Sequence, residues 1–194
     1  MGSMKPNPVI LVHGIFDTAK IFRRMQAHLR RLGRTAHAID LMPNNGKISH
    51  LQMARQLANF IDTGFSGTPV DLVGFSMGGI VARAYVQMLG GHEKVHKLVT
   101  ISAPHHGTAL ARLLKRPVAM EMRPGSGFLE TLNSGTQILE KMDFTSLWTP
   151  YDLVILPASS SVMDCAKNIQ VAVPWHDWMV RLPNALKALS QALC

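Results

Sequence analysis

The sequence predicts a single α/β domain of about six mostly parallel strands with helices on both faces. Three observations carry this. Short β-branched apolar runs alternate with segments whose apolar residues recur at helical spacing, the pattern of right-handed crossovers. A chain of 194 residues fits one domain and buries a substantial core without staples. No segment approaches the roughly 18 consecutive apolar residues of a membrane span.

The elements follow in order. Residues 1–7 read as a leader, with MetGlySer before Met4 resembling a remnant of cloning; the domain runs from 8 to 194. PVILVHG (8–14) is the first strand, bounded by Pro and Gly. Asp17 or Thr18 then caps a helix in which Ile21, Phe22, Met25, Leu29 and Leu32 fall on one side, while Lys20, Arg23, Arg24, Arg30, Arg31 and Arg34 form a solvated basic face. HAIDLMP (37–43) is the second strand, NNG a turn, and Ile48, Leu51, Ala54, Ala58 and Ile61 the inner stripe of the second helix. VDLVGF (70–75) precedes a helix lined by Met77, Ile80, Val81, Ala84 and Met88 that ends at Gly90-Gly91. HKLVTIS (96–102), FTSLW (144–148) and NIQVAVP (168–174) complete the strands, and Pro183 opens a last helix through Leu186, Leu189 and Leu193. Residues 104–143 are too long for a plain connection. They predict two short helices, either as decoration of a crossover or as a lid or acyl-pocket wall built from Leu110, Leu113, Leu114, Met120, Met122 and Phe128.

Composition narrows the function classes. The two cysteines, Cys165 and Cys194, have neither CxxC nor zinc-ligand spacing. The expectation is therefore free thiols rather than one disulfide, with no metal. Neither a phosphate loop nor G-x-G-x-x-G is present, so no nucleotide cofactor and no nucleic-acid partner is expected. The net charge of +8 fits transient contact with an anionic lipid surface, or a catalytically silent binder of such surfaces. The cytoplasm is the default location if Met4 starts the native chain, and secretion is the alternative if a signal was removed in cloning.

Gly74-Phe75-Ser76-Met77-Gly78 matches G-x-S-x-G where a predicted strand meets a predicted helix, the setting that motif needs. Gly74 and Gly78 let strand and helix approach, and the turn lifts Ser76 to the carboxyl end of the sheet beside a helix N-terminus. A serine hydroxyl needs a base, and the base an orienting acid. Of nine histidines, His28, His50, His92 and His96 read as solvated surface, and His37 stands at the wrong end of its strand. His105 and His106 read as pocket lining or structural hydrogen bonds. His176 follows the last strand after only Pro174 and Trp175. Asp152 lies just beyond FTSLW; Asp164 is the alternative acid, and Asp143 precedes its strand. Met77 N–H is one oxyanion donor, and Ile15 or Phe16 N–H, in the loop turned by Gly14, the second. His13 reads as a brace for that loop.

PVILVHGI, VDLVGFSMGG, LVTISAPHHGT and the closing Asp-then-His segment together resemble bacterial lipases of the α/β-hydrolase superfamily, especially the small ones without a large cap. The resemblance implies a minimal α/β-hydrolase fold, a triad of Ser76, Asp152 and His176, and oxyanion donors at Ile15 and Met77. It also implies a carboxylic ester hydrolase acting on lipid-like esters, the same triad serving a thioesterase or acyltransferase as the alternative. RPGSGFLETLN resembles a stretch near the lid of larger triacylglycerol lipases.

Overall fold

Six apolar runs make the sheet: β1 (Val9–Val12), β2 (Ala36–Ile39), β3 (Val70–Phe75), β4 (Val95–Ile101), β5 (Asp143–Trp148) and β6 (Lys167–Gln170). The computed structural model describes residues 6–194. Of the predicted leader, residues 1–5 lie outside that range, whereas Asn7 is already tied to the domain through Asp71 and Arg34. The strands pair in the order β2-β1-β3-β4-β5-β6, and every pairing is parallel. Central strands covered on both sides need continuous apolar runs, which is why β1 and β3 are buried along their whole length. Because β2 and β3 lie on opposite sides of β1, the order reverses there. The loops after β1 and β3 diverge from that point, opening a crevice at the carboxyl ends of the strands.

Helices α1 (Arg23–Arg31) and α6 (Pro183–Ala192) cover one face, where Phe22, Met25 and Leu29 meet Leu186 and Leu189. On the other face lie α2 (His50–Gly64) and α3 (Met77–Met88), with α4 (Pro117–Glu121) and α5 (Gly127–Ser134) completing that layer. The two short helices expected within 104–143 are α4 and α5, flanked by 3-10 turns at Ala109–Leu113 before them and Thr136–Lys141 after them. Cys165 and Cys194 are free thiols.

Several local expectations differ from the structure. The runs at 37–43 and 168–174 are strand only over Ala36–Ile39 and Lys167–Gln170. Leu32 is 54% exposed, and Arg34 leaves the solvated face to pair with buried Asp71. The buried stripe of α2 is His50, Met53, Ala54, Leu57 and Ile61, with Leu51 and Ala58 only half-buried. This helix packs on α3 as well as on the sheet, which rotates the stripe. Thr18 makes no side-chain cap; instead the Asp40 carboxylate, at the end of β2, accepts from Ala19 N–H at 2.6 Å. His50 is not on the surface. It is fully buried, its Nδ1 bonded to Glu121 at 2.7 Å and its ring stacked on Phe128 at 5.0 Å. Phe128 therefore stands behind the pocket wall rather than in it.

Candidate active site

Ser76 lies between the end of β3 and the start of α3 with φ 54° and ψ −124°. A non-glycine residue in such a conformation costs on the order of 1–3 kcal/mol, so its surroundings must hold it. Ser76 N–H donates to Ile101 O at 2.8 Å, and Ser76 O accepts from Gly79 N–H at 2.9 Å. The glycines are required by contact. A Cβ on Gly74 would come within 2.5 Å of Gly78 O, and one on Gly78 would collide with the carbonyl oxygens of Val12 and His13. Gly79 lets Ala103, in the SAPHHGT segment, approach α3.

His176 begins the 3-10 turn His176–Val180 that follows β6. Its Nδ1–H donates to Asp152 Oδ2 at 2.7 Å, while Asp152 Oδ1 accepts from the N–H groups of Val154 and Ile155, both at 2.9 Å. Burial alone would raise the Asp152 pKa. The His176 hydrogen bond, the imidazole charge and the two backbone donors outweigh burial and hold the carboxyl below its ordinary value. Phe75, the residue before the serine, packs its ring 4.8 Å from the imidazole. With Nδ1 donating to the acid, Nε2 is the nitrogen left to accept a proton.

Ser76 and His176 line one cavity of about 400 Å³. Its other walls are mainly apolar, with Ile15, Leu110, Leu114, Met122 and Ile155 among them, and Asp17, Thr108 and Asp177 are the polar residues beside them. Of the residues expected in a pocket wall, Leu110, Leu113, Leu114 and Met122 line it, whereas Met120 points to solvent. No hydrogen bond joins Ser76 to His176 among the described residues; contacts of this kind tighten when substrate binds.

The loop after β1 is clamped from the β2 side. His13 Nε2 accepts from Leu41 N–H at 3.0 Å and its Nδ1–H donates to Gly14 O at 2.8 Å. Phe16, at φ 63°, donates its N–H to Asn44 O at 2.8 Å, and Asn44 Nδ2 donates to Asp17 O at 2.8 Å. The Phe16 amide is therefore occupied, and of the two expected donors Ile15 has the uncommitted N–H. Met77, the first residue of α3, has no intrahelical partner for its N–H.

The competing residues are engaged elsewhere. Asp143 pairs with Lys97 at 2.6 Å, and Asp164 borders a separate hollow with Cys165 and His106. Buried His105 donates to Thr100 Oγ1 at 3.0 Å and accepts from Arg83 at 3.2 Å, a structural role. Two side chains, one behind the site and one at its border, were not legible. Arg83 is fully buried in α3, where desolvation lowers its pKa to about 10 and Gln87, Leu132 O and Asn133 accept its hydrogen bonds. Its signal was a lone charge in a helix apolar all round. Asp17 borders the cavity, its carboxyl pushed up by burial and then by Asp177; its place just past the Gly14 loop was the clue.

A strand-turn-helix serine, a histidine held by a buried acid and a shared apolar cavity define an α/β-hydrolase. Solved structures agree on the fold. A mature lipase of Bacillus licheniformis superposes with a TM-score of 0.82 at 17% identity, covering 100% of this chain and 94% of that one. Lipase B of Aspergillus fumigatus gives 0.82 at 18% identity, covering 97% of this chain and 52% of that one. Within this class the chain belongs to the palmitoyl protein thioesterase family, whose model matches residues 8–151. The mouse lysosomal thioesterase PPT2 is 29% identical over 113 residues, 55% of this chain and 36% of its own length. The human PPT2 is 28% identical over 107 residues, 52% of this chain and 34% of its own. The chain thus spans about a third of the length of these curated relatives.

Proposed function

We propose that this chain hydrolyses fatty-acyl esters and thioesters through an acyl-enzyme on Ser76. The observation that carries the reading is the cavity: an apolar chamber of about 400 Å³ opens on Ser76 and His176 together, which suits an acyl chain better than a polar substrate. His176 Nε2 takes the Ser76 proton as Oγ attacks the acyl carbonyl, and returns it to the leaving oxygen or sulfur. Asp152 holds the imidazole and stabilises its charged form, while the N–H groups of Ile15 and Met77 receive the oxyanion. Water, deprotonated by the same histidine, then releases the fatty acid.

A thioester substrate is favoured by the family assignment and by the thioesterase names of the curated relatives. Acyl-thioester and matched acyl-ester ladders, assayed side by side, separate the two leaving groups. Ser76→Ala is expected to lower turnover by a factor on the order of a million and to abolish labelling by a fluorophosphonate probe. Retained hydrolysis in that variant overturns the proposal.

A further inference from the structure

The rim of this cavity is unusually apolar on its outside. Phe16, Leu113, Leu153, Trp175 and Trp178 are between 45% and 77% exposed. Phe16 and Leu113 line the mouth itself, while Leu153 and Trp175 are the chain neighbours of Asp152 and His176. All except Leu113 sit on loops leaving the carboxyl ends of β1, β5 and β6, so they gather on one side of the molecule. Apolar exposure concentrated around a single opening marks a contact surface.

A cationic strip continues from this rim. Trp178 shares a hollow with Lys20, Arg23, Arg24 and Arg181, and a second hollow along α1 adds His28 and Arg31. Of the acids near the strip, Asp17 and Asp177 are half-buried and border the cavity instead, while exposed Asp40, bonded to Ala19 N–H, lies at its Lys20 end. Trp and Leu side chains beside a basic helix face are what an interfacial membrane contact requires. Single-stranded nucleic acid would use the tryptophans and arginines but has no partner for exposed Leu113 and Leu153.

We infer that this rim docks on an anionic phospholipid bilayer, with the apolar side chains entering the headgroup region and Lys20, Arg23, Arg24 and Arg181 against lipid phosphates. The docking stands on the surface alone; its use, passing an acyl chain from the bilayer into the cavity, rests on the acyl-hydrolase reading above.

Co-sedimentation with vesicles tests it. The full chain should bind phosphatidylcholine vesicles containing about 30% phosphatidylserine at least roughly tenfold more tightly than pure phosphatidylcholine vesicles. Raising salt to about 0.5 M should remove that difference. Arg23→Gln/Arg24→Gln should weaken binding by about 25-fold, near fivefold per charge, without changing turnover of a water-soluble short-chain ester. Arg55→Gln, exposed on α2 over the opposite sheet face, should leave binding unchanged. Equal binding to neutral and anionic vesicles, an equal loss in Arg55→Gln, or tighter retention by single-stranded RNA than by vesicles would overturn the inference. Failure of the hydrolase reading appears separately, as absent soluble-ester turnover.

Discussion

Replacing Asp152 by asparagine exchanges one carboxylate oxygen for an amide nitrogen, and the structure fixes which one. Oδ1 accepts two backbone N–H groups, from Val154 and Ile155 at 2.9 Å. An NH₂ turned toward them would strand both donors in a buried site, at about 1–3 kcal/mol each. The amide oxygen therefore stays there, and the NH₂ faces His176 Nδ1, where the acid now accepts at 2.7 Å. To receive that N–H, the imidazole must move its own proton to Nε2, and it can no longer take one from Ser76. The expected loss in kcat is about 10⁴-fold, or about 5.4 kcal/mol of barrier at 1.36 kcal/mol per decade. Hydrolysis of a soluble acyl ester at pH 7 measures it, and ¹⁵N chemical shifts of the His176 ring report the tautomer in the same sample. Activity within tenfold of the parent, or an unchanged Nδ1–H tautomer, would refute the reasoning.

Gly78→Ala places a methyl against two carbonyl oxygens of the β1 end, and rigid backbone leaves it nowhere to go. Thermal unfolding should show a loss of more than about 4 kcal/mol or no folded protein at all. Met122 lines the cavity from just beyond α4, where in the proposed function it limits the room for an acyl chain. Met122→Trp should lower kcat/KM for long acyl chains at least about tenfold relative to acetyl, read across a chain-length ladder. His105 is held well below its ordinary pKa by burial, then by Arg83 and His106. The unfolded chain therefore binds the extra proton first, so this histidine's stabilisation is complete above about pH 6.5 and declines as pH falls below it. His105→Gln should accordingly flatten the fall of Tm between about pH 6.5 and 4.5, and an unchanged slope would count against it.

Most of the sheet was legible because buried parallel strands must be continuous apolar runs, and PVILVHG, VDLVGF and HKLVTIS are such runs bounded by Gly or Pro. The Asp152–His176 contact was legible too, since position after a strand end says which face of the sheet a side chain reaches. What escaped was decided by partners far away in the chain. His50 reads as surface until Glu121, 71 residues on, arrives to satisfy it; Thr18 reads as a cap until Asp40 takes the amide of Ala19. Arg83 escaped for the opposite reason. A charge is assumed to seek water, and nothing local announces that Leu132 and Asn133 supply its acceptors. The stripe of α2 moved because periodicity fixes spacing but not which neighbour a helix turns toward.

Asn44 holds the β1 loop at two points, through Phe16 N–H and Asp17 O, although it belongs to the connection between β2 and α2 and is absent from the cavity wall. In the proposed mechanism the aim of the Ile15 amide thus depends on a residue outside the cavity wall. Variation at position 44 should act as a tuning screw on transition-state binding, altering kcat while KM and the acyl preference stay where the cavity puts them.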